Sequence, residues 1–279
     1  MTIKGSVRRV ILPGWTKAAS AVSARRRRRE GLQPPIRRSD FLASIDNRGS
    51  VLELGPFDRP AMRGPNVAYF DVLDQEGLRQ RAKQEGRDPA ACPVIDHVSD
   101  NGDLSTVPGT FDALFSSHVI EHQHDLVQHL VDAGRLLRPG GSYHVVVPDR
   151  RFCFDHFMPE SSLQEVLDAA DNGPARQVEQ AIRHVHYDLT HNDSLRHWLG
   201  LHGRRGEGSS RSQAACDADI ERYRSGTYRD IHAFRFSPAG FRDIIVALHD
   251  LGRSPLRLAT VHDTRFAEPE FFAVLTKEA

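Results

Sequence analysis

The run Val51-Leu52-Glu53-Leu54, stopped by Gly55-Pro56, restricts what this chain can fold into more than any other stretch. Apolar residues broken by a single carboxylate read as a short buried strand, and glycine followed by proline turns the chain at its end. In an open α/β sheet, a strand that ends on glycine brings bare backbone to the crevice where nucleotide-like ligands sit, because no Cβ intervenes. Val51 to Arg59, VLELGPFDR, has that form. An ordinary core strand closing in a turn would share it, so the downstream sequence decides.

Further β-rich runs come at α/β spacing. Val67 to Phe70 ends in Asp71, 18 positions after Glu53. That is close to the interval of roughly 20 residues between a glycine loop and the acid that grips a ribose. A carboxylate there can accept hydrogen bonds from two neighbouring hydroxyls, each charge-assisted bond contributing about 1.5–3 kcal/mol. Glu76 to Glu85 is charged enough to be the exposed face of a helix, and Pro93 to Val98 reads as a third strand with a turn at Ser99-Asp100-Asn101-Gly102. Phe111 to Phe115 makes a fourth strand leading into Ser116-Ser117-His118-Val119-Ile120-Glu121-His122. Leu126, Leu130, Val131, Leu136 and Leu137 form a helical stripe ended by Pro139-Gly140-Gly141, and Tyr143 to Val147 is a fifth strand closed by Pro148-Asp149.

The series VLELGP, AYFD, FDALFSSHVIEH and LLRPGGSYHVVVPD resembles the class I S-adenosylmethionine-dependent methyltransferases. It is most similar to the methyltransferase-domain proteins of bacterial polysaccharide and glycoconjugate gene neighbourhoods, a likeness that PDRRFCFDHFMP after the fifth strand extends. Where the wider superfamily carries a glycine-any-glycine loop, this chain has Gly55 followed by Pro56, which leaves fewer amides for a methionine carboxylate. The resemblance implies S-adenosylmethionine as cofactor. It implies that Glu53, Gly55 and Pro56 border the methionyl end, that Asp71 holds the ribose hydroxyls, and that Asp100 faces the adenine amine, with Asp103 its close competitor. It places Ser117 and His118 beside the sulfonium and matches Glu121-His122 to the family's Glu-His pair.

The fold expected on this basis is α/β, a Rossmann-like seven-stranded, mostly parallel sheet with helices on both faces and a helical insertion after the fifth strand. Residues 1–40 form a basic N-terminal arm, and 41–279 the methyltransferase domain with 150–236 as an inserted substrate cap. Within the insertion, Ser161-Ser162 caps a helix, Pro174 to His186 forms a second, and Gly200 to Ser212 is a polar glycine-rich loop. That loop lacks the glycine-lysine-serine/threonine ending of a phosphate-cradling P-loop. Ser237-Pro238 caps a last amphipathic helix ended by Gly252, and Leu256 to Val261 pairs antiparallel with Phe271 to Leu275. The joining turn, Phe266-Ala267-Glu268-Pro269, reads as ordinary surface.

The expected chemistry is methyl transfer to a small polar acceptor, a sugar or glycoconjugate hydroxyl in first place. A hydroxyl needs a base, and His122, His184 and His186 are the first candidates, with Tyr187, His191 and His232 of the insertion or its exit as further ones; imidazole, with a pKa near 6.5, accepts a proton at neutral pH. Two other classes fit the same residues. One is a methyltransferase-fold protein that binds without turnover. The other is a zinc hydrolase, because HVIEH satisfies H-x-x-E-H; that chemistry requires both imidazoles on one face of a long helix, whereas here the motif straddles a strand end and a helix start. No metal is expected.

Lys and Arg together number 37, as do Asp and Glu, but the balance is uneven along the chain. The first 40 residues hold eleven basic and two acidic residues, Arg25 to Arg29 among them. Such an arm can fold back on an acidic body or meet an anionic surface. Three scattered cysteines, Cys92, Cys153 and Cys216, give neither a disulfide framework nor a zinc knuckle and point to a reducing, cytoplasmic setting. No apolar run is long enough to span a bilayer. Arg8-Arg9 lacks the apolar stretch of a twin-arginine signal, since Pro13, Gly14 and Lys17 interrupt it.

Overall fold

The computed structural model describes residues 24–279. Strands β1 (Val51–Leu54), β2 (Val67–Asp71), β3 (His97–Val98), β4 (Phe111–Ser117), β5 (Leu137–Pro148), β6 (Leu256–His262) and β7 (Glu270–Lys277) form one sheet. They lie side by side as β3-β2-β1-β4-β5-β7-β6. The first five run parallel, and β7 is antiparallel to both β5 and β6. This is the Rossmann-like α/β sheet that the sequence leads one to expect.

Strict alternation along the strands builds two cores. Leu114, Val145, Val147, Phe271, Ala273 and Leu275 face one side, where the helices Leu126–Leu136 and Pro238–Asp250 bury their apolar stripes. Ala113, Phe115, Val146 and Phe272 face the other side, which Phe41 of the short helix Arg38–Ala43, Ile45 and Met62 cover. A one-residue slip in register would exchange these sets, so burial on both faces fixes the pairing.

Two element boundaries differ from the sequence reading. The third strand is confined to His97–Val98, because the Asp96 carboxylate accepts the Tyr69 amide at 2.9 Å and replaces a ladder bond at that point. The fifth strand begins at Leu137 rather than Tyr143. A register shift opposite Phe111 and Ala113 absorbs Pro139-Gly140-Gly141, with Gly140 at a φ of 77°.

The insertion starts and ends at one place, since Asp149 and Phe236 form a parallel bridge. Its first helix, Leu163–Asn172, opens with a reciprocal Ser162–Glu165 capping box and joins the main core through Val166 and Ala169. Helices Ala175–Tyr187 and Gln213–Arg224 pack on each other around Val178, Ile182, Cys216 and Ile220, a separate small core. The turn between β6 and β7 is more than surface. Ala267 and Glu268 accept hydrogen bonds from Ser194 Oγ (2.7 Å) and Trp198 Nε1 (3.0 Å), which tie the insertion down.

The described part of the basic arm belongs to the body. Residues 24–29 are helical, Gln33 bridges to His262, Leu32 is buried, and Arg26 pairs with the buried Asp263. Arg8-Arg9 and the rest of residues 1–23 lie outside the described residues. Among the described residues, no helix is long and apolar enough to cross a membrane.

Candidate active site

The strand order reverses direction between β1 and β4, and at such a switch point two neighbouring loops leave in opposite directions and open a crevice at the carboxyl ends of the strands. A cleft of about 540 Å³ lies there. Glu53, Gly55, Pro56, Asp71, Ser117, His118 and His122 all line it. Gly55, at a φ of 66°, cannot be replaced freely, since a Cβ would stand 2.7 Å from Val119 Cγ2.

The wall made by β1 and β2 carries two buried carboxylates. Both Glu53 oxygens accept backbone amides, Ala61 and Met62 at 2.8 Å each, so this side chain clamps the loop after Gly55. Burial raises its pKa to about 7 against the pull of those amides. Asp71 closes β2 and accepts the amide of Val72 at 2.7 Å; burial likewise raises it to about 6. The loop between them is braced by Phe57, whose ring lies under the guanidinium groups of Arg81 and Arg87.

The facing wall is made of charge pairs. At the end of β4 the chain turns out through His118, a non-glycine residue at a φ of 56°, into a single 3-10 turn, Ile120–His122. His118 Nε2 meets Glu270 Oε2 at 2.8 Å, and Arg38 joins the same carboxylate at 2.9 Å while donating to Ser117 Oγ at 2.7 Å. Burial disfavours the imidazolium, but the hydrogen bond to Glu270 and the charges of Glu121 and Glu270 outweigh it and raise the His118 pKa. Burial would raise Glu270, yet His118 and Arg38 hold it below the usual carboxylate range. His122 Nδ1 lies 2.8 Å from Asp230, which Arg81 also engages at 2.7 Å. Against the cost of partial desolvation, those partners hold Asp230 well below an ordinary aspartate.

Residues 61–145, which span β2 to β4 and most of β5, match the family model described as methyltransferase domain. That stretch is similar to a methyltransferase domain. The cleft suits a nucleotide-like cofactor: bare backbone at Gly55 and a carboxylate at the end of β2 lie on one wall. The mitomycin 7-O-methyltransferase MmcR is 12% identical with a TM-score of 0.40, over 85% of this chain and 51% of its own. The chain thus spans about half the length of that protein. A putative S-adenosylmethionine-dependent methyltransferase from Listeria monocytogenes is 12% identical with a TM-score of 0.43, over 86% of this chain and 97% of its own. A protein from Rhodobacter sphaeroides described as a putative Zn-dependent alcohol dehydrogenase is 15% identical with a TM-score of 0.43, over 88% and 92%. At these scores the likenesses carry no weight for chemistry. No curated protein matches the chain.

Three of the sequence candidates fall outside the cleft. Asp100 is exposed in the turn after β3 and does not line it, because the short strand ends before the chain can bring that side chain inward. His184 sits against Asp188 at 2.5 Å on the insertion helix. His186 is buried with both ring nitrogens engaged, Nδ1 with Ser210 Oγ at 2.7 Å and Nε2 with Asp219 at 3.0 Å, and it fastens the 200–212 loop. Neither histidine lines the cleft, so neither is placed to act as a base there. HVIEH does not form the long helix of a zinc hydrolase; His118 precedes the single turn that carries Glu121 and His122. The sequence reading missed Arg38, Arg81, Tyr228, Asp230 and Glu270, all of them cleft-lining or paired with cleft-lining groups. The acid that opens the last strand after Glu268-Pro269 was the one local signal for Glu270.

Proposed function

We propose that the protein transfers the methyl group of S-adenosylmethionine to a hydroxyl of a small polar acceptor, a sugar or glycoconjugate being the favoured class. The observation that carries this reading is the gathering of Glu53, Asp71 and His118, from three separate strand ends, around one cleft in a methyltransferase domain. Bound there, the cofactor supplies an electrophilic methyl on a sulfonium, a good leaving group, so the protein contributes mainly alignment. Asp71 would accept the ribose hydroxyls, Gly55 and Pro56 would lie along the methionyl end, and Glu53 would hold their loop in shape. Ser117 and His118 would stand beside the sulfonium. His122, the one base candidate of the first three that lines the cleft, would take the acceptor proton.

The charged facing wall supports a polyhydroxylated acceptor, as does the resemblance to proteins of polysaccharide gene neighbourhoods. The insertion, residues 150–236, supplies Tyr228 and Asp230 to the cleft and would select the acceptor. Free, buried Cys92, Cys153 and Cys216 favour a cytoplasmic setting. In the arm, Arg25, Arg28 and Arg29 stay exposed and are the residues available to an anionic surface. Calorimetric titration with S-adenosylmethionine and S-adenosylhomocysteine, followed by a turnover screen against nucleotide sugars and glycan fragments, tests the reading. Absence of cofactor binding would end it, and binding without turnover on any hydroxyl acceptor would leave a binding protein.

A further inference from the structure

Beside the cleft, Glu121 is fully buried, and neither of its carboxylate oxygens accepts a hydrogen bond from any described residue. A buried carboxylate is strongly unfavourable unless a cation or a proton sits against it. Three imidazoles surround it. His122 Nε2, His118 Nδ1 and His232 Nε2 stand 3.6, 3.7 and 3.8 Å from the same oxygen, Oε1. These separations are too long for hydrogen bonds. They approach the spacing of about 3.4 Å between neighbouring ligands of a tetrahedral ion whose own bonds are about 2.0–2.1 Å.

Each ring is also backed by a second carboxylate. Asp155 at 2.5 Å hydrogen-bonds His232 Nδ1 and Glu270 at 2.8 Å hydrogen-bonds His118 Nε2, while Asp230 lies 2.8 Å from His122 Nδ1 without the alignment of a hydrogen bond. A neutral imidazole that directs its outer N–H to a carboxylate keeps a lone pair on the inner nitrogen, which is how metal-binding histidines are oriented. His232 is oriented in this way, and its inner nitrogen, that of His122 and the Glu121 oxygen lie within 4.8 Å of one another. Such a set repels itself unless a cation or a proton lies within it.

We propose that Glu121, His122 and His232 bind one divalent first-row transition-metal ion, with His118 at its edge. Two imidazoles and one carboxylate suit zinc, manganese, iron(II) or cobalt(II) better than calcium or magnesium. The sequence alone leads one to expect no metal, and the proposed set differs from that of a zinc hydrolase in using Glu121 as a ligand rather than as a base. The site adjoins the reaction cleft. His122 lines both the large cleft and a neighbouring cavity of about 220 Å³, which His232, Asp155 and Asp230 also line.

The ion's role, though not its binding, rests on the methyl-transfer reading above. An ion there would face the acceptor and lower the pKa of a hydroxyl bound to it, so that activation of the acceptor passes from His122, then a ligand, to the ion. The S–CH3 bond then breaks as the O–CH3 bond forms, the sulfonium leaves as a neutral thioether, and the hydroxyl proton goes to solvent.

The test is a cobalt(II) titration of the chelator-treated full chain, read by visible absorption. The expected result is one equivalent bound, with affinity reduced more than about 100-fold in both Glu121→Gln and His232→Gln, since loss of a direct ligand exceeds the loss seen for supporting groups. His197→Gln is the control, because His156, His197 and His202 form the other histidine group of the described residues. Cobalt that fails to bind the wild-type chain, or that is lost only in His197→Gln, overturns the proposal without recourse to any variant's fold. Thermal unfolding of the metal-free variants separates a lost site from a lost structure. Titration of the wild-type chain with S-adenosylmethionine is a separate arm: its failure would remove the methyl-transfer reading and the ion's role, while the metal site would stand on the cobalt result.

Discussion

Glu53 and Asp71, on the β1–β2 wall, have no ion-pair partner within salt-bridge distance among the described residues, and burial moves both pKa values up toward neutrality. Across the cleft, Glu270 and Asp230 are pressed down and His118 is raised, because each faces an opposite charge. The two walls therefore respond differently to acid. Lowering the pH through 7 and 6 protonates the first wall and leaves the second charged. A ligand that donates hydrogen bonds to carboxylates, as ribose hydroxyls do, should feel that difference directly.

The strongest way to break the comparison is Asp71→Ala. If the carboxylate holds two hydroxyls, cofactor affinity measured by calorimetry should fall by at least about 100-fold, with the circular dichroism spectrum unchanged. An unchanged dissociation constant would remove Asp71 from the site. Next in size, Gly55→Val forces a branched side chain into left-handed backbone and against Val119; we expect about 1–3 kcal/mol of lost stability in urea unfolding together with weakened cofactor binding.

The pH dependence sharpens the contrast. Binding that needs the ionised Asp71 competes with a proton of pKa about 6, so the dissociation constant should be flat at high pH and rise as pH falls through that value. The limiting slope is about tenfold per pH unit. A flat profile down to pH 5 would mean that the first wall does not grip the cofactor through its charge. His186→Ala lies outside both walls. It should cost about 1–2 kcal/mol from the lost bonds to Ser210 and Asp219 while leaving cofactor affinity alone. The smallest effect belongs to Arg26→Ala, under about 1 kcal/mol in thermal unfolding, because Arg27 and Arg151, 4.0 and 3.8 Å from the buried Asp263, remain to offset its charge.

The first wall was legible because its residues are set by local rules. A buried strand, a glycine turn and an acid 18 positions on place Glu53, Gly55 and Asp71 without long-range knowledge. The facing wall was not, since Arg38 and Glu270 meet across 232 positions and Asp230 comes from an irregular segment with no periodicity to read. Residue type alone also misled: His184 and His186 have the chemistry of a base, but the helix that carries them turns them to Asp188, Ser210 and Asp219. Asp100 failed for a related reason, as a two-residue edge strand does little to aim the turn beyond it.

β6 precedes β7 in the chain, yet the hydrogen-bonded ladders of the sheet reach it only through β7. Until β7 is in place, β6 has no strand in the sheet to pair with and β5 is an open edge, with the apolar Val145, Val146 and Val147 waiting for Ala273, Phe272 and Phe271. A folding intermediate stopped there would present an open edge to chaperones, and the cleft would stay unfinished until Glu270 arrived to meet Arg38 and His118.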